Sequence, residues 1–175
     1  QISAGVNTGL SGLANWTHDI GGFSVESRYS NPAGMKPEDK AEWDELNLRW
    51  FQFGAFSPVF RSHGEFPLRE VYNLAQPGTP MYDAYAEQMR TRYRLMPYIY
   101  SVAGDVYQRD GTIMRGLVMD FPSDLKARDI NDQYLFGRAL LVAPVTEYNA
   151  RSRSVYFPQG ADWYDMLTGQ KYAGG

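Results

Sequence analysis

Two short segments of the sequence end in polar side chains just before glycine. These are His18 and Asp19 before Gly21 and Gly22, and Arg61, Ser62 and His63 before Gly64. Polar groups at the carboxyl ends of parallel strands are typical of a binding pocket, because the loops there surround the crevice in which ligands bind. The spacing therefore predicts that both histidines of the chain lie in one shared polar pocket.

Each of these residues also has a structural interpretation. Asp19 can accept backbone N–H groups of the glycine turn that follows it. His63 can be a hydrogen-bonded interior histidine, with Arg61 as an ion-paired neighbour that holds Asp19 or Glu65. Two aromatic residues bracket the first segment and are as readily core residues: Trp16 and Phe23.

The composition excludes several kinds of site. The 175 residues are 43% apolar and 21% charged, which is ordinary for a globular protein. The absence of cysteine and the presence of only two histidines exclude a Cys/His zinc site, a disulfide framework and a thiol nucleophile. A net charge of −3 without a basic block excludes a reader of phosphate backbones, so no nucleic-acid partner is expected. No apolar run approaches the roughly 18 residues of a membrane span.

The elements that must position the polar residues are predicted from hydrophobic spacing. A helix is expected over 1–13, followed by strand, helix, strand and long helix over 14–20, 42–55, 57–63 and 81–108, with 24–40 as a surface loop. Two consecutive β/α units favour a parallel sheet or barrel. A complete (β/α)8 barrel needs about 250 residues, so this chain can hold only the end of one. A doubly wound sheet stays possible on pattern alone, although no glycine-rich phosphate loop supports it.

The long helix carries four specific predictions. Thr79 is expected to cap it with Pro80 at its first position, and Pro97 to kink or break it near Met96. One apolar seam is expected to comprise Tyr82, Tyr85, Met89, Tyr93, Met96, Tyr100 and Ala103. Three arginines are expected on the solvated outer face: Arg90, Arg92 and Arg94.

The texture of the sequence changes after Gly111. Strands are predicted over 113–121, 139–145 and 154–157, and a closing hairpin over 163–165 and 170–172. The domains are therefore expected to be 1–110 and 111–175. The chain opens with Gln1 inside a predicted helix rather than with Met, which we interpret as a piece of a longer polypeptide.

Six blocks of the sequence, in order, resemble glycoside hydrolase family 31. They are Trp16-Thr17-His18-Asp19-Ile20-Gly21-Gly22-Phe23, residues 49–58, Arg61-Ser62-His63-Gly64, residues 92–101, residues 133–137 and residues 141–146. The resemblance implies an α/β fold: the last β/α units of a (β/α)8 TIM barrel followed by part of an antiparallel β-sandwich. The long loop over 24–40 and the form of the later blocks are most similar to bacterial α-xylosidases that trim xylose from xyloglucan fragments.

The resemblance also implies a mechanism. In a retaining glycosidase one carboxylate attacks the anomeric carbon and another protonates the leaving oxygen, the two lying about 5 Å apart. Neither family motif for these aspartates is present, so no catalytic residue is expected in this chain and the isolated chain is expected to be inactive. No metal or organic cofactor is implied. The substrate-binding residues are predicted to be Asp19, His63, Phe23, Trp16 and Arg61, with Arg61 supporting its neighbours.

Two other functions stay open at this point. The chain could be a non-catalytic carbohydrate-binding module, which its 13 tyrosines and 4 tryptophans would suit. It could also be a structural fragment that assembles with another chain, because an incomplete barrel has unpaired strand edges. The residues do not separate xylose from glucose as the sugar. The compartment is undetermined, although a periplasmic or secreted bacterial enzyme fits the resemblance.

Overall fold

The computed structural model describes all 175 residues. Its helices are α1 (Ile2–Leu10), α2 (Pro37–Ala55), α3 (Val71–Leu74), α4 (Pro80–Arg94), α5 (Met96–Arg109) and α6 (Leu117–Asp120). Its strands are β1 (Met114–Arg115), β2 (Tyr134–Phe136), β3 (Leu140–Val142), β4 (Asp162–Tyr164) and β5 (Lys171–Ala173). Short 3₁₀ turns lie at Pro32–Gly34 and Lys126–Arg128. None of the helices combines the length and the apolar content that crossing a bilayer requires.

The two β/α units meet through a short parallel contact. Ile20 and Ser62 form a single parallel bridge, with the Ile20 N–H 3.4 Å from the Arg61 carbonyl. The Val59 N–H donates to the Trp16 carbonyl at 3.2 Å. The predicted parallel neighbours are therefore present, but as two extended segments with few ladder bonds rather than as full strands.

Helix α2 begins earlier than its apolar spacing predicts. Pro37 occupies its first turn, and Glu38 and Asp39 follow, so the fixed φ of proline and the acidic first turn both favour a helix start there. The helix buries Trp43 and Phe51 in a cluster with Ile20, Leu74 and Tyr85. The assignment of residues 37–40 to a loop is wrong for this reason.

The long helix is two helices, as the proline predicted. The Thr79 hydroxyl accepts from the Tyr82 N–H at 3.2 Å, and Leu95 separates α4 from α5 with Pro97 in the first turn of α5. The single apolar seam is wrong at the end of α4, where Tyr93 is 75% exposed, and beyond the break, where Tyr100 of α5 is 81% exposed. A 3.6-residue period cannot be carried across a break in the helix, which resets the faces.

Arg92 is buried, contrary to the prediction that it lies on a solvated face. Its Nη1 donates to the carbonyls of Ala55 at 2.9 Å and Ser57 at 2.7 Å, and its Nη2 donates to the carbonyl of Pro58 at 2.9 Å. These carbonyls belong to the last residue of α2 and to two residues just after it, where helical partners run out. Burial lowers the pKa of Arg92. Arg90 and Arg94 do lie at the surface, paired with Glu87.

His18 lies in the core rather than in a shared pocket with His63. Trp50 Nε1 donates to its Nδ1 at 2.8 Å, so Nε2 carries the proton and donates to Ser57 Oγ at 2.9 Å. Its ring stacks on Phe53 with centroids 4.5 Å apart. Side chains alternate along an extended segment, so His18 and Asp19 face opposite sides. The prediction that both histidines share one pocket is therefore wrong.

The part after Asp110 contains two small antiparallel sheets. Strands β1, β2 and β3 pair in that order, with Met114 opposite Phe136, and β4 pairs with β5 as the predicted hairpin. The predicted strand over 113–121 is wrong after Arg115, where the chain turns into α6.

The predicted strand over 154–157 is also replaced by another arrangement. The side-chain amide of Gln133 donates to the Tyr156 carbonyl at 2.6 Å and accepts from the Tyr156 N–H at 3.0 Å. A buried amide thus takes both backbone bonds that a neighbouring strand would have made.

One hydrophobic core joins the two parts of the chain. Its buried members come from α1, α2, α5, β1 and β2: Ile2, Val6, Phe53, Ile99, Ile113, Met114, Tyr134 and Phe136. Because these residues are far apart in sequence, the helical part and the β-rich part stabilise each other through shared burial.

Replacing Arg92 with methionine tests its role as a carbonyl partner. Arg92→Met fills similar volume but leaves three buried carbonyls without a donor, so we expect the free energy of unfolding to fall by about 2–3 kcal/mol. Urea unfolding followed by circular dichroism measures this. Arg90→Met on the same helix is the control and should change the free energy of unfolding by about 0.5 kcal/mol or less. Equal effects of the two substitutions would contradict the assignment.

Burial makes His18 a source of acid sensitivity. It lowers the pKa of His18 from 6.5 to about 4 in the folded protein. His18 therefore binds a proton at a higher pH in the unfolded chain than in the folded one. Its contribution to the free energy of unfolding is fully present above pH 6.5 and is lost as the pH falls toward 4. We expect a loss of about 2–3 kcal/mol from this residue.

The pH dependence of urea unfolding checks this expectation. His18→Gln should flatten the profile of the free energy of unfolding between pH 6.5 and 4. A His18→Gln profile as steep as that of the unsubstituted protein would contradict the role of His18.

Candidate functional site

Asp19 and Arg61 form an ion pair on the side of the extended segments opposite the helices. His18 and Ile20 are buried toward the helices, which leaves Asp19 on the other side. Arg61 Nη2 contacts Asp19 Oδ1, and the side chains are 47% and 23% exposed. Because Ile20 is bridged to Ser62, the two segments are in register for this contact. The guanidinium therefore fixes one carboxylate oxygen while the pair stays accessible.

Phe23, in the loop after the first segment, and His63, at the end of the second segment, form a second pair. Their ring centroids are 5.8 Å apart with the planes tilted by 37°. Phe23 is 50% exposed, and His63 is also exposed. His63 is two residues from Arg61, so alternation places both on one face of the segment. An accessible imidazole and an accessible aromatic ring thus lie beside the ion pair.

Trp16 has different neighbours from the other predicted site residues. Its ring lies against Gly5 of α1, where an added Cβ would be 2.0 Å from the ring, and its centroid is 5.5 Å from that of His18. Its Nε1 is buried without a hydrogen-bond partner. The structure pairs Asp19 with Arg61 and Phe23 with His63, and it places Trp16 on the helix side.

A buried arginine lies beneath the site. Arg69 is 4% exposed, and its Nη1 donates to the carbonyl of Glu65 and, at 2.6 Å, to that of Pro67. Its Nη2 donates to the carbonyl of Phe23 at 3.4 Å. Desolvation by burial lowers the pKa of Arg69, although the nearby charges of Asp19 and Glu65 act to raise it.

The glycines that end the two polar segments leave room for Arg69. A Cβ at Gly21 would lie 2.5 Å from Asn47 Oδ1 and 2.9 Å from Arg69 Cδ, and the residue has φ of +89°. A Cβ at Gly64 would lie 2.6 Å from Arg69 Cζ. Sequence reasoning missed Arg69 because it stands in an irregular loop, yet the two glycines were the signal that something approaches closely there.

The chemistry of the group is that of binding. The ion pair offers hydrogen-bond acceptors and donors, and His63 offers both beside the apolar face of Phe23. The structure contains no cluster of three or more His, Cys, Asp or Glu side chains that could hold a metal ion. A cavity of about 600 Å³ lies elsewhere, between α1, α2 and the segments 131–132 and 144–148, and none of the site residues lines it.

Comparison with known proteins finds one family along nearly the whole chain. Residues 1–102 match the Glycosyl hydrolases family 31 TIM-barrel domain, and residues 110–175 match the Glycosyl hydrolase family 31 C-terminal domain. The chain is 40% identical to an alpha-xylosidase of Saccharolobus solfataricus over 100% of its own length and 22% of that protein. It is 34% identical to human neutral alpha-glucosidase AB over 97% of its own length and 16% of that protein.

Solved structures agree with the sequence relatives. The GH31 alpha-xylosidase from Xanthomonas citri superposes with a TM-score of 0.95 and 62% identity, over 100% of this chain and 19% of that one. A GH31 alpha-xylosidase from a soil metagenome, complexed with xylose, superposes with a TM-score of 0.84 and 35% identity, over 100% of this chain and 27% of that one. The chain thus spans about a fifth of the length of the first relatives it matches. It belongs to glycoside hydrolase family 31 and contains a portion of the family's TIM-barrel domain together with C-terminal domain sequence.

Proposed function

We propose that this chain supplies sugar-binding residues to a retaining α-glycosidase that removes terminal α-linked xylose, or glucose, from oligosaccharides such as xyloglucan fragments. The proposal is supported by relatives and solved structures that are named as alpha-xylosidases and alpha-glucosidases. Xylose is favoured because the chain is 62% identical to the part of the Xanthomonas citri alpha-xylosidase that it matches, which is 19% of that protein. The oligosaccharide is the proposed partner.

The observation that carries the proposal is the parallel bridge between Ile20 and Ser62. It supports a site that includes both the Asp19–Arg61 ion pair and the Phe23–His63 ring pair, because Arg61 and His63 flank the bridged Ser62. A sugar ring has hydroxyl groups around an apolar face, so a pocket for it needs polar groups next to an aromatic surface.

Each side chain has a role in this proposal. His63 donates to or accepts from sugar hydroxyls, and Phe23 packs against the apolar face of the ring. Asp19 accepts from a hydroxyl with the carboxylate oxygen that Arg61 leaves free. Arg61 orients Asp19 and keeps its charge balanced, as the ion pair allows. Trp16 supports the first segment from the helix side, where it packs on Gly5.

We assign the catalytic carboxylates to parts of the protein outside this chain. A retaining mechanism needs a nucleophile and an acid/base about 5 Å apart on either side of the glycosidic bond. Asp19 is engaged by Arg61, which suits binding better than nucleophilic attack. The relatives are about five times as long as the chain, which leaves ample sequence for both carboxylates. The mechanism needs no metal or organic cofactor.

The proposed division between the barrel part and the β-sandwich part lies at residue 110. Helix α5 ends at Arg109, Asp110 adopts φ of +53° after it, and the first antiparallel strand begins at Met114. Residues 1–110 would then complete the barrel, and residues 111–175 would begin the sandwich. The one core that joins the two parts supports a fixed arrangement of both.

Removing His63 tests the proposed sugar contact. In the full-length family 31 protein that contains this segment, His63→Ala should lower kcat/KM for aryl α-xyloside by about a hundredfold or more, since a hydrogen bond to the reacting sugar is lost. The isolated segment should not hydrolyse the substrate. Tyr107→Ala, at a side chain that is 90% exposed on α5, is the control and should leave the kinetics unchanged.

Two outcomes would contradict the proposal in different ways. Unchanged kinetics of His63→Ala would remove His63 from the sugar pocket. Micromolar binding of xyloglucan oligosaccharides by the isolated segment, measured by calorimetry, would favour a carbohydrate-binding module instead.

Replacing Arg61 tests whether it orients Asp19. Arg61→Met in the same full-length protein should lower kcat/KM by about tenfold, because Asp19 loses its charge-assisted partner. The control is Arg109→Met, which removes an exposed ion pair with Asp105 on α5 and should leave kcat/KM unchanged. If Arg61→Met behaves like Arg109→Met, Asp19 does not depend on the pair for sugar binding.

A further inference from the structure

Arg69 connects the two loops that carry Phe23 and His63. The carbonyl of Phe23 belongs to the loop after the first extended segment, and those of Glu65 and Pro67 belong to the loop after the second. One planar guanidinium, 4% exposed, donates to all three. The structure records no carboxylate bonded to it, so its hydrogen bonds are made to the main chain of the two loops.

The two loops are also joined directly at the same place. The Glu65 N–H donates to the Phe23 carbonyl at 2.8 Å, which is the carbonyl that Arg69 reaches from below. Ser62 Oγ in turn donates to the Arg69 carbonyl at 2.9 Å. Since His63 lies between Ser62 and Glu65 in the chain, both of its flanks are tied to Arg69 or to its acceptor. The rings of Phe23 and His63, whose centroids are 5.8 Å apart, therefore belong to backbone that these hydrogen bonds join.

The guanidinium of Arg69 is closely packed on three sides. Gly21 approaches it from the first loop and Gly64 from the second, each too close for a side chain. Trp43 of α2 lies on another side, with its ring centroid 5.5 Å from Arg69 Cζ. A lysine here would place one ammonium where the arginine fork reaches two loops, so it could not bond both in the same geometry.

We propose that Arg69 is a positioning residue that sets the spacing between Phe23 and His63 and so controls sugar binding without touching the sugar. The inference rests on the proposed function of the Phe23–His63 pair. It adds a residue that the family blocks in the sequence do not include, and its effect is expected to pass through His63.

The experiment is a double-mutant cycle in the full-length protein that contains this segment. Arg69→Lys should lower kcat/KM for aryl α-xyloside by about tenfold to a hundredfold, because small displacements of binding groups are costly. The inhibition constant of free xylose should rise by a similar factor. In a His63→Ala background the same substitution should change kcat/KM by about twofold or less, since coupled residues are not additive.

Arg92→Lys is the matched control. Arg92 is also a buried arginine that donates to three main-chain carbonyls, but those carbonyls follow α2 rather than the site loops. It should lower the melting temperature and leave KM and the xylose inhibition constant of the folded enzyme within about twofold, because the carbonyls that it holds lie at the start of the second segment and those that Arg69 holds lie beyond the end that carries His63. Arg69→Gln, whose shorter and uncharged side chain can bond one loop at most, should lower kcat/KM at least as much as Arg69→Lys, and it replaces the lysine variant if that variant does not fold.

The outcomes separate the inference from the function it rests on. If His63→Ala leaves the kinetics unchanged, the proposed sugar site is wrong whatever Arg69 does. If His63→Ala lowers kcat/KM and Arg69→Lys acts equally in both backgrounds, the site stands and the positioning role is wrong. Loss of folding in both Arg69→Lys and Arg69→Gln also overturns the positioning role, because Arg69 would then serve the fold alone.

Discussion

Main-chain carbonyls without ladder partners are the constraint on which this structure depends. The two extended segments share a single parallel bridge, so most of the turns around them need other donors. Arg92 supplies them where α2 ends, and Arg69 supplies them where the loops leave the segments. A guanidinium suits this task because it has five donors in one plane and keeps its charge when its pKa is lowered by burial.

The same segments are tied to the helices by a chain of hydrogen bonds through His18. Trp50 of α2 donates to His18, His18 donates to Ser57, and the Ser57 hydroxyl donates to the Phe53 carbonyl at 3.2 Å. The Ser57 carbonyl also accepts a hydrogen bond from Arg92. The first segment, the end of α2 and the start of the second segment are therefore held relative to one another before any residue of the accessible face is considered.

The sequence allowed the broad fold to be predicted, because its signals are local. Thr79 and the proline at 97 marked the start and the break of the long helix, and spacing marked α2. The sequence-based prediction was wrong where a contact with a residue far away in the chain determines the burial of a side chain or the pairing of a segment. Arg92 looks like its exposed neighbours on α4 until the end of α2 is packed against it, and the carbonyls that bury it are 34 to 37 residues away. Gln133 replaced a strand in the same non-local way.

The candidate site followed a similar division between local and non-local signals. Side chains of adjacent residues in an extended segment point to opposite faces, so His18 and Asp19 cannot lie on the same face. That rule can be applied to the sequence alone. It places one residue of the His18-Asp19 dipeptide in the core and the other on the accessible face. The position of Arg69 was not available, since it depends on two loops closing over one side chain. The two glycines are the local sign of this arrangement, because the backbone at Gly21 and at Gly64 lies too close to the side chain of Arg69 to leave room for a Cβ atom.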